Sequence, residues 1–188
     1  MQSPTVNAGD DITSCGNSTI NLIQATTTAS TTVLWSTSGT GTFENPNILN
    51  AVYIPGSEDV LNGSVILTIT ASGAAACNPD QDAVTIQFVP APEIFAGNDS
   101  EICNNSAFTL NEANGMNYNS VIWMHNGTGT LLNADSIHPT YVPASGESGE
   151  IILIASVNGN SPCGTATDSI RISLVPAVTA NAGTDINS

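Results

Sequence analysis

Four cysteines, sixteen carboxylates and two histidines are the residues of this chain with the means to do chemistry, and their spacing decides which chemistry that is. Cys15 and Cys103 lie 88 positions apart and Cys77 and Cys163 lie 86 apart, so each half of the chain holds one early and one late cysteine. They read as disulfide partners. No Cys-x-x-Cys pair and no histidine at zinc spacing supports a metal reading. Of the three possible pairings, Cys15–Cys77 with Cys103–Cys163 is the one that treats the two halves alike. Each bridge would close a loop of about 60 residues, stabilise its half by roughly 4 kcal/mol in the chain-entropy model, and imply an oxidising, extracytoplasmic setting.

Acids flank the same cysteines. Asp10 and Asp11 come shortly before Cys15, and Asp80 and Asp82 follow Cys77; the second half offers Asn98, Asp99 and Asp168. A disulfide that drew these segments together would gather hard oxygen ligands suited to calcium. The spacing matches no established calcium loop, and the competing reading is turn chemistry, in which Asp and Asn after Gly bond nearby backbone groups. His125 and His138 align with Thr37 and Asn50, outside the repeating plan, and are expected on the surface. No Gly-x-Ser-x-Gly elbow occurs and no Ser, His and acid set recurs, so catalysis is not expected.

A net charge of -15, with Arg171 as the one base, would repel phosphate-rich partners and anionic membranes. Nucleic-acid binding is therefore excluded. The absence of lysine also removes Schiff-base chemistry, a Walker-type phosphate lysine and Lys–Asn isopeptide staples. No apolar run is long enough to cross a bilayer as a helix, so membrane insertion is not expected, and Met1-Gln2-Ser3 carries no export-signal pattern.

The elements that must position these residues are given by a repeat. Val33-Leu34-Trp35-Ser36-Thr37-Ser38-Gly39-Thr40-Gly41-Thr42 returns as Val121-Ile122-Trp123-Met124-His125-Asn126-Gly127-Thr128-Gly129-Thr130. Val-aliphatic-Trp has the character of a buried strand, and Gly-Thr-Gly-Thr that of a turn. Trp35, Trp123, Tyr53 and Tyr141 are expected core residues. Val84, Ile86 and Phe88 alternate with Thr85 and Gln87, and Ile170, Ile172 and Leu174 with Arg171 and Ser173, the period of a strand with one buried face. No helix is evident. The pattern predicts an all-β chain of tandem immunoglobulin-like antiparallel sandwiches of seven strands, covering residues 4–90 and 91–176, with 177–188 opening a third repeat that is cut short. The Pro-containing joint Val89-Pro90-Ala91-Pro92 predicts an end-to-end arrangement, and Pro55 to Ser64 against Pro143 to Glu150 predicts a surface loop of variable length.

The ordered set Ala8-Gly9, Cys15, Trp35 to Thr42, Tyr53-Ile54-Pro55, Cys77 and Val89-Pro90, with its second copy, resembles the tandem Ig-like, PKD-like repeats of Bacteroidota cell-surface adhesins that serve gliding motility. The likeness covers both units and the opening of the third. It implies a secreted protein exported by the type IX route and held at the outer membrane surface, whose partners are neighbouring repeats of the same chain, surface polysaccharide or the gliding machinery. The Trp-x-Phe-Gly-Asp-Gly signature of true PKD domains is absent, and Cys15 lies 20 residues before Trp35, too far for the inter-sheet bridge of antibody domains. The disulfide is accordingly expected at one pole, away from the tryptophan. The implied function is a non-catalytic stalk segment. The alternatives are a module that binds glycan or protein through loops such as Ser57 to Ser64 or Met116 to Asn119, and an accessory domain of a secreted hydrolase.

Overall fold

The computed structural model describes residues 2–74 and 77–177. Residues 178–188, on which the expected third repeat falls, lie outside the described residues. The chain divides into two compact units, Met1–Ala91 with Asn160–Gly164, and Pro92–Gly159 with Thr165–Ser188.

In the first unit the elements are β1 (Thr5–Asn7), β2 (Ile12–Cys15), β3 (Ile20–Asn21), β4 (Thr26–Thr28), β5 (Thr32–Thr37), β6 (Thr42–Phe43), β7 (Val52–Ile54), α1 (Ser57–Leu61), β8 (Ser64–Ser72) and β9 (Asp80–Val89). The second repeats them as β10 (Glu93–Phe95), β11 (Ser100–Cys103), β12 (Phe108–Thr109), β13 (Asn114–Met116), β14 (Tyr118–His125), β15 (Thr130–Leu132), β16 (Thr140–Val142), β17 (Gly149–Gly159) and β18 (Thr165–Val175). A four-stranded sheet, β2-β9-β8-β5, and a three-stranded sheet, β3-β7-β6, share one core, and β1 pairs with β4. The second unit has the same order: β11-β18-β17-β14, β12-β16-β15 and β10-β13.

Period-two alternation builds each core. Along β8, Val65, Leu67, Ile69 and Ala71 are buried while Ser64 and Ile66 are exposed; on the neighbouring β9, Val84, Ile86 and Phe88 are buried. Burying such a side chain is worth about 1.5–3 kcal/mol. Trp35 enters from β5 at 2% exposure and Tyr53 from the opposite sheet at 0%, bridged by Phe43, whose ring lies 6.1 Å from Trp35 and 5.0 Å from Tyr53. Trp123 and Tyr141 are buried in the second unit.

The all-β, largely antiparallel sandwich is as expected, with two local departures. The sandwich is not wholly antiparallel: β2 runs parallel to β9 and β11 parallel to β18. The cause is local. After β1 pairs antiparallel with β4, Gly9 takes φ 95°, and Gly97 takes φ 104° at the matching point, a conformation that costs glycine little and lets the chain switch sheets. The segment after Pro55 is also not a plain surface loop, because it carries the one-turn helix α1, whose Asp59 is 2% exposed.

Candidate functional site

Five of the six acids singled out for calcium accept backbone N–H groups at the sheet switch. Asp80 Oδ2 accepts the Val6 N–H and Asp82 Oδ2 the Ala8 N–H, each at 2.8 Å, which holds β1 beside the start of β9. Beyond Gly9, Asp11 Oδ1 accepts the Thr85 N–H at 2.8 Å and ties the incoming β2 to β9. Asp10 contributes its backbone N–H, which donates to Gln24 Oε1. The second unit repeats the plan: Asp168 accepts from Ala96 N–H, Asp99 from Arg171 N–H, and the Asn98 amide groups donate to Glu112. The carboxylates of Asp11, Asp80, Asp82, Asp99 and Asp168 each accept a backbone N–H from a segment distant in sequence, and among the described residues no group of three or more His, Cys, Asp or Glu side chains is placed to hold a metal ion. Charge-assisted bonds of this kind are roughly twice as strong as neutral ones. They explain the recurring Ala-Gly-x-Asp: small buried Ala, Gly for the turn, Asp for the tie.

A second cluster went unnoticed in the sequence. Asp59 Oδ1 accepts the Thr40 N–H at 2.7 Å, and its Oδ2 accepts from Gly41 N–H, Gly56 N–H and the Tyr53 hydroxyl at 3.0, 2.9 and 2.6 Å. Thr37 Oγ1 lies 2.9 Å from the Tyr53 oxygen. In the second unit Glu147 takes the same part, accepting from Thr128 N–H, Ala144 N–H and the Tyr141 hydroxyl, while Gly129 N–H donates to the Tyr141 oxygen. Here lies the reason for Gly-Thr-Gly-Thr. A Cβ on Gly39 would overlap the Asp59 carboxylate, and one on Gly127 would overlap the Tyr141 hydroxyl. The overlooked signal was an acid at the matching place six residues after each tyrosine.

Burial, reinforced by the bond to Asp59, pushes Tyr53 up to about 12, and burial with the bond to Glu147 does the same for Tyr141. For the acids burial works upward, but the donors outweigh it. Those from Tyr53, Gly56, Thr40 and Gly41 hold Asp59 below its ordinary value, and those from Ala144, Thr128 and Tyr141 bring Glu147 down to about 2.

The cysteines are not paired as the repeat suggested. Cys15 is bonded to Cys163, their Cα atoms 5.0 Å apart, and Cys77 and Cys103 are free thiols. Cys163 belongs to Asn160–Gly164, the short segment that clusters with the first unit. The parallel pairing forbids the expected bridge: Cys15 sits opposite Val89 at the far end of β9, whereas Cys77 precedes Asp80 at its near end. Nine residues of strand span roughly 30 Å, and a disulfide tolerates about 7 Å between Cα atoms. Cys103, opposite Val175, is separated from Cys163 by the length of β18 in the same way.

Both histidines touch neighbours, although the buried His125 Nδ1 has no hydrogen-bond partner. The His138 Nε2–H donates to Ala113 O at 3.0 Å, and the His125 ring stands edge-on to Tyr141 at 5.2 Å. A cleft of about 290 Å³ lies at the second sheet switch, lined by Gly97, Asn98, Asp99, Phe108, Glu112 and Ile170 among others. No helix among the described residues is long and apolar enough to cross a membrane.

No protein-family model matches the chain, and no curated protein does. Solved structures do. The chain is similar to the N-terminal eight Ig domains of Down Syndrome Cell Adhesion Molecule, with a TM-score of 0.57 and 9% identity over 92% of this chain and 24% of that one. It is also similar to Drosophila N-cadherin EC1-4, with a TM-score of 0.50 and 13% identity over 93% of this chain and 50% of that one. The fold is immunoglobulin-like. The chain thus spans about half of the N-cadherin fragment and about a quarter of the other.

Proposed function

We propose that the chain is a non-catalytic stalk segment of a secreted bacterial cell-surface adhesin, its repeats following one another along the chain and serving attachment and gliding. The observation that carries this reading is the parallel pairing of β2 with β9 and of β11 with β18. In each unit the strand near the N-terminus and the last strand run side by side in one direction. With the Cys15–Cys163 bond open, tension between the two ends of the unit therefore loads all the hydrogen bonds of that ladder together in shear, where an antiparallel pair would peel one bond at a time; with it closed, the bond carries the load past the residues between. The acidic ties across the switch add to the same ladder. Resemblance of the repeat motifs to gliding adhesins, and the likeness in fold to Ig and cadherin domains of adhesion proteins, support the reading, as does a disulfide suited to an oxidising extracellular compartment.

Single-molecule pulling of the chain with Cys15–Cys163 reduced tests it. Ser14→Pro removes an N–H that the register turns toward β9, as it turns the Gly16 N–H that donates to Val89 O, and the unfolding force of the first unit should fall well below that of the parent. An unchanged force would mean that this ladder carries no tension. A second reading, a glycan-binding module, is favoured by the polar cleft at Asn98, Asp99 and Glu112. A glycan array separates the two, since a stalk retains no sugar and a lectin does.

A further inference from the structure

We propose that the free thiols Cys77 and Cys103 are the two halves of a bond of the Cys15–Cys163 kind, each made with another copy of this repeat. The bonded pair joins the early cysteine of one repeat to the late cysteine of the next, and Cys103 and Cys77 are the early and late cysteines left over. Their settings match those of the bonded pair. Cys103 stands opposite Val175 as Cys15 stands opposite Val89, and the residue after each donates its N–H to the strand-end carbonyl, Asn104 to Val175 O and Gly16 to Val89 O. Cys77 N–H donates to Ala74 O at 2.8 Å just as Cys163 N–H donates to Asn160 O at 2.7 Å, so both late cysteines close the same short turn. In the bonded pair Cys163 Sγ also lies against Val89 O and Pro90 O, and the corresponding Val175-Pro176 follows β18 beside Cys103. Cys103 is exposed and Cys77 partly so, within reach of a partner.

The chemistry balances by exchange with a small disulfide such as oxidised glutathione. The Cys103 thiolate attacks one sulfur and releases one glutathione thiolate; the Cys77 thiolate of a second molecule then attacks the Cys103 sulfur and releases the other. Two protein thiols and one oxidised glutathione become one protein disulfide and two reduced glutathiones. In an array this would link every repeat to its neighbour covalently. The proposal goes beyond the stalk reading and does not depend on it.

The test mixes equal amounts of Cys77→Ser and Cys103→Ser full-length protein at about 1 mM, the effective concentration of a tethered neighbour, in a glutathione redox buffer. Non-reducing electrophoresis and peptide mapping then count the products, with Cys15–Cys163 mapped in the same samples. The expected result is a Cys103–Cys77 heterodimer about tenfold or more above either homodimer, against the twofold of random pairing, and ladders from the unsubstituted chain. Random proportions, monomers ending as glutathione adducts, an intramolecular Cys77–Cys103 bond, or loss of Cys15–Cys163 would each overturn it.

Discussion

The two units build the same tyrosine–carboxylate clamp from different parts. In the first, Asp59 sits on the helical turn α1 at 2% exposure, and Thr37 supports the tyrosine oxygen. In the second the turn is not helical, Gly146 takes φ 80°, and the longer Glu147, half-buried, makes the reach, with His125 where Thr37 would be. The tryptophans differ in parallel: Trp35 Nε1 donates to Leu49 O at 3.1 Å, whereas Trp123 Nε1 is buried without a partner. What the fold demands is an acceptor for the donors of the Gly-Thr-Gly-Thr loop. It does not prescribe which acid, which backbone turn, or which neighbour.

The largest effects are expected at the tryptophans. Trp35→Ala and Trp123→Ala should each cost about 3–5 kcal/mol and unfold the affected unit in denaturant titration. Replacement by Phe separates them: Trp35→Phe should cost about 1 kcal/mol more than Trp123→Phe, since the first forfeits a hydrogen bond and the second removes a donor that had none.

The clamps come next. Asp59→Ala strands three backbone N–H groups and the Tyr53 hydroxyl in a buried place, so a loss of about 3 kcal/mol is expected in the same titration, with Glu147→Ala costing less because water reaches that site. Acid should act in the same sense. Both folded-state carboxylates titrate below their ordinary values, so the contribution of Glu147 is complete above about pH 4.5 and is lost as the pH falls toward about 2, and that of Asp59 is likewise lost in acid, below its ordinary value. The tyrosines, raised to about 12, withdraw theirs as the pH rises from 10 to 12. Melting temperature should therefore be level near neutrality and fall on both sides, and Asp59→Asn with Glu147→Gln should flatten the acid limb.

How much of this was legible in the sequence depends on how local each cause is. The alternation along β8, β9 and β18 needs only its own strand, and it was readable. The parallel edge was not, because φ at Gly9 and Gly97 decides it, and a glycine in Ala-Gly-x-Asp announces a turn without giving its direction. The spacing of the acids to the cysteines suggests a common ligand, while the partners that Asp11, Asp82 and Asp99 meet are backbone N–H groups about 72–74 residues away, which no local pattern shows. Asp59 and Glu147 were hidden inside a segment whose changing length marks a surface loop. Calcium removal should accordingly have the smallest effect, a chelator leaving the melting temperature of the chain where it was; a drop would return Asp11, Asp82, Asp99 and Asp168 to the role of ligands.

The parallel pairing of β2 with β9 and of β11 with β18 sets which strand ends lie side by side in each unit. Peptide mapping of the unreduced protein, with free thiols alkylated first, tests it most directly. The account predicts a Cys15–Cys163 peptide with alkyl groups on Cys77 and Cys103 in the freshly purified monomer. Cys15–Cys77 and Cys103–Cys163 peptides would contradict it, because no sheet in which β2 runs parallel to β9 can bring those sulfurs together.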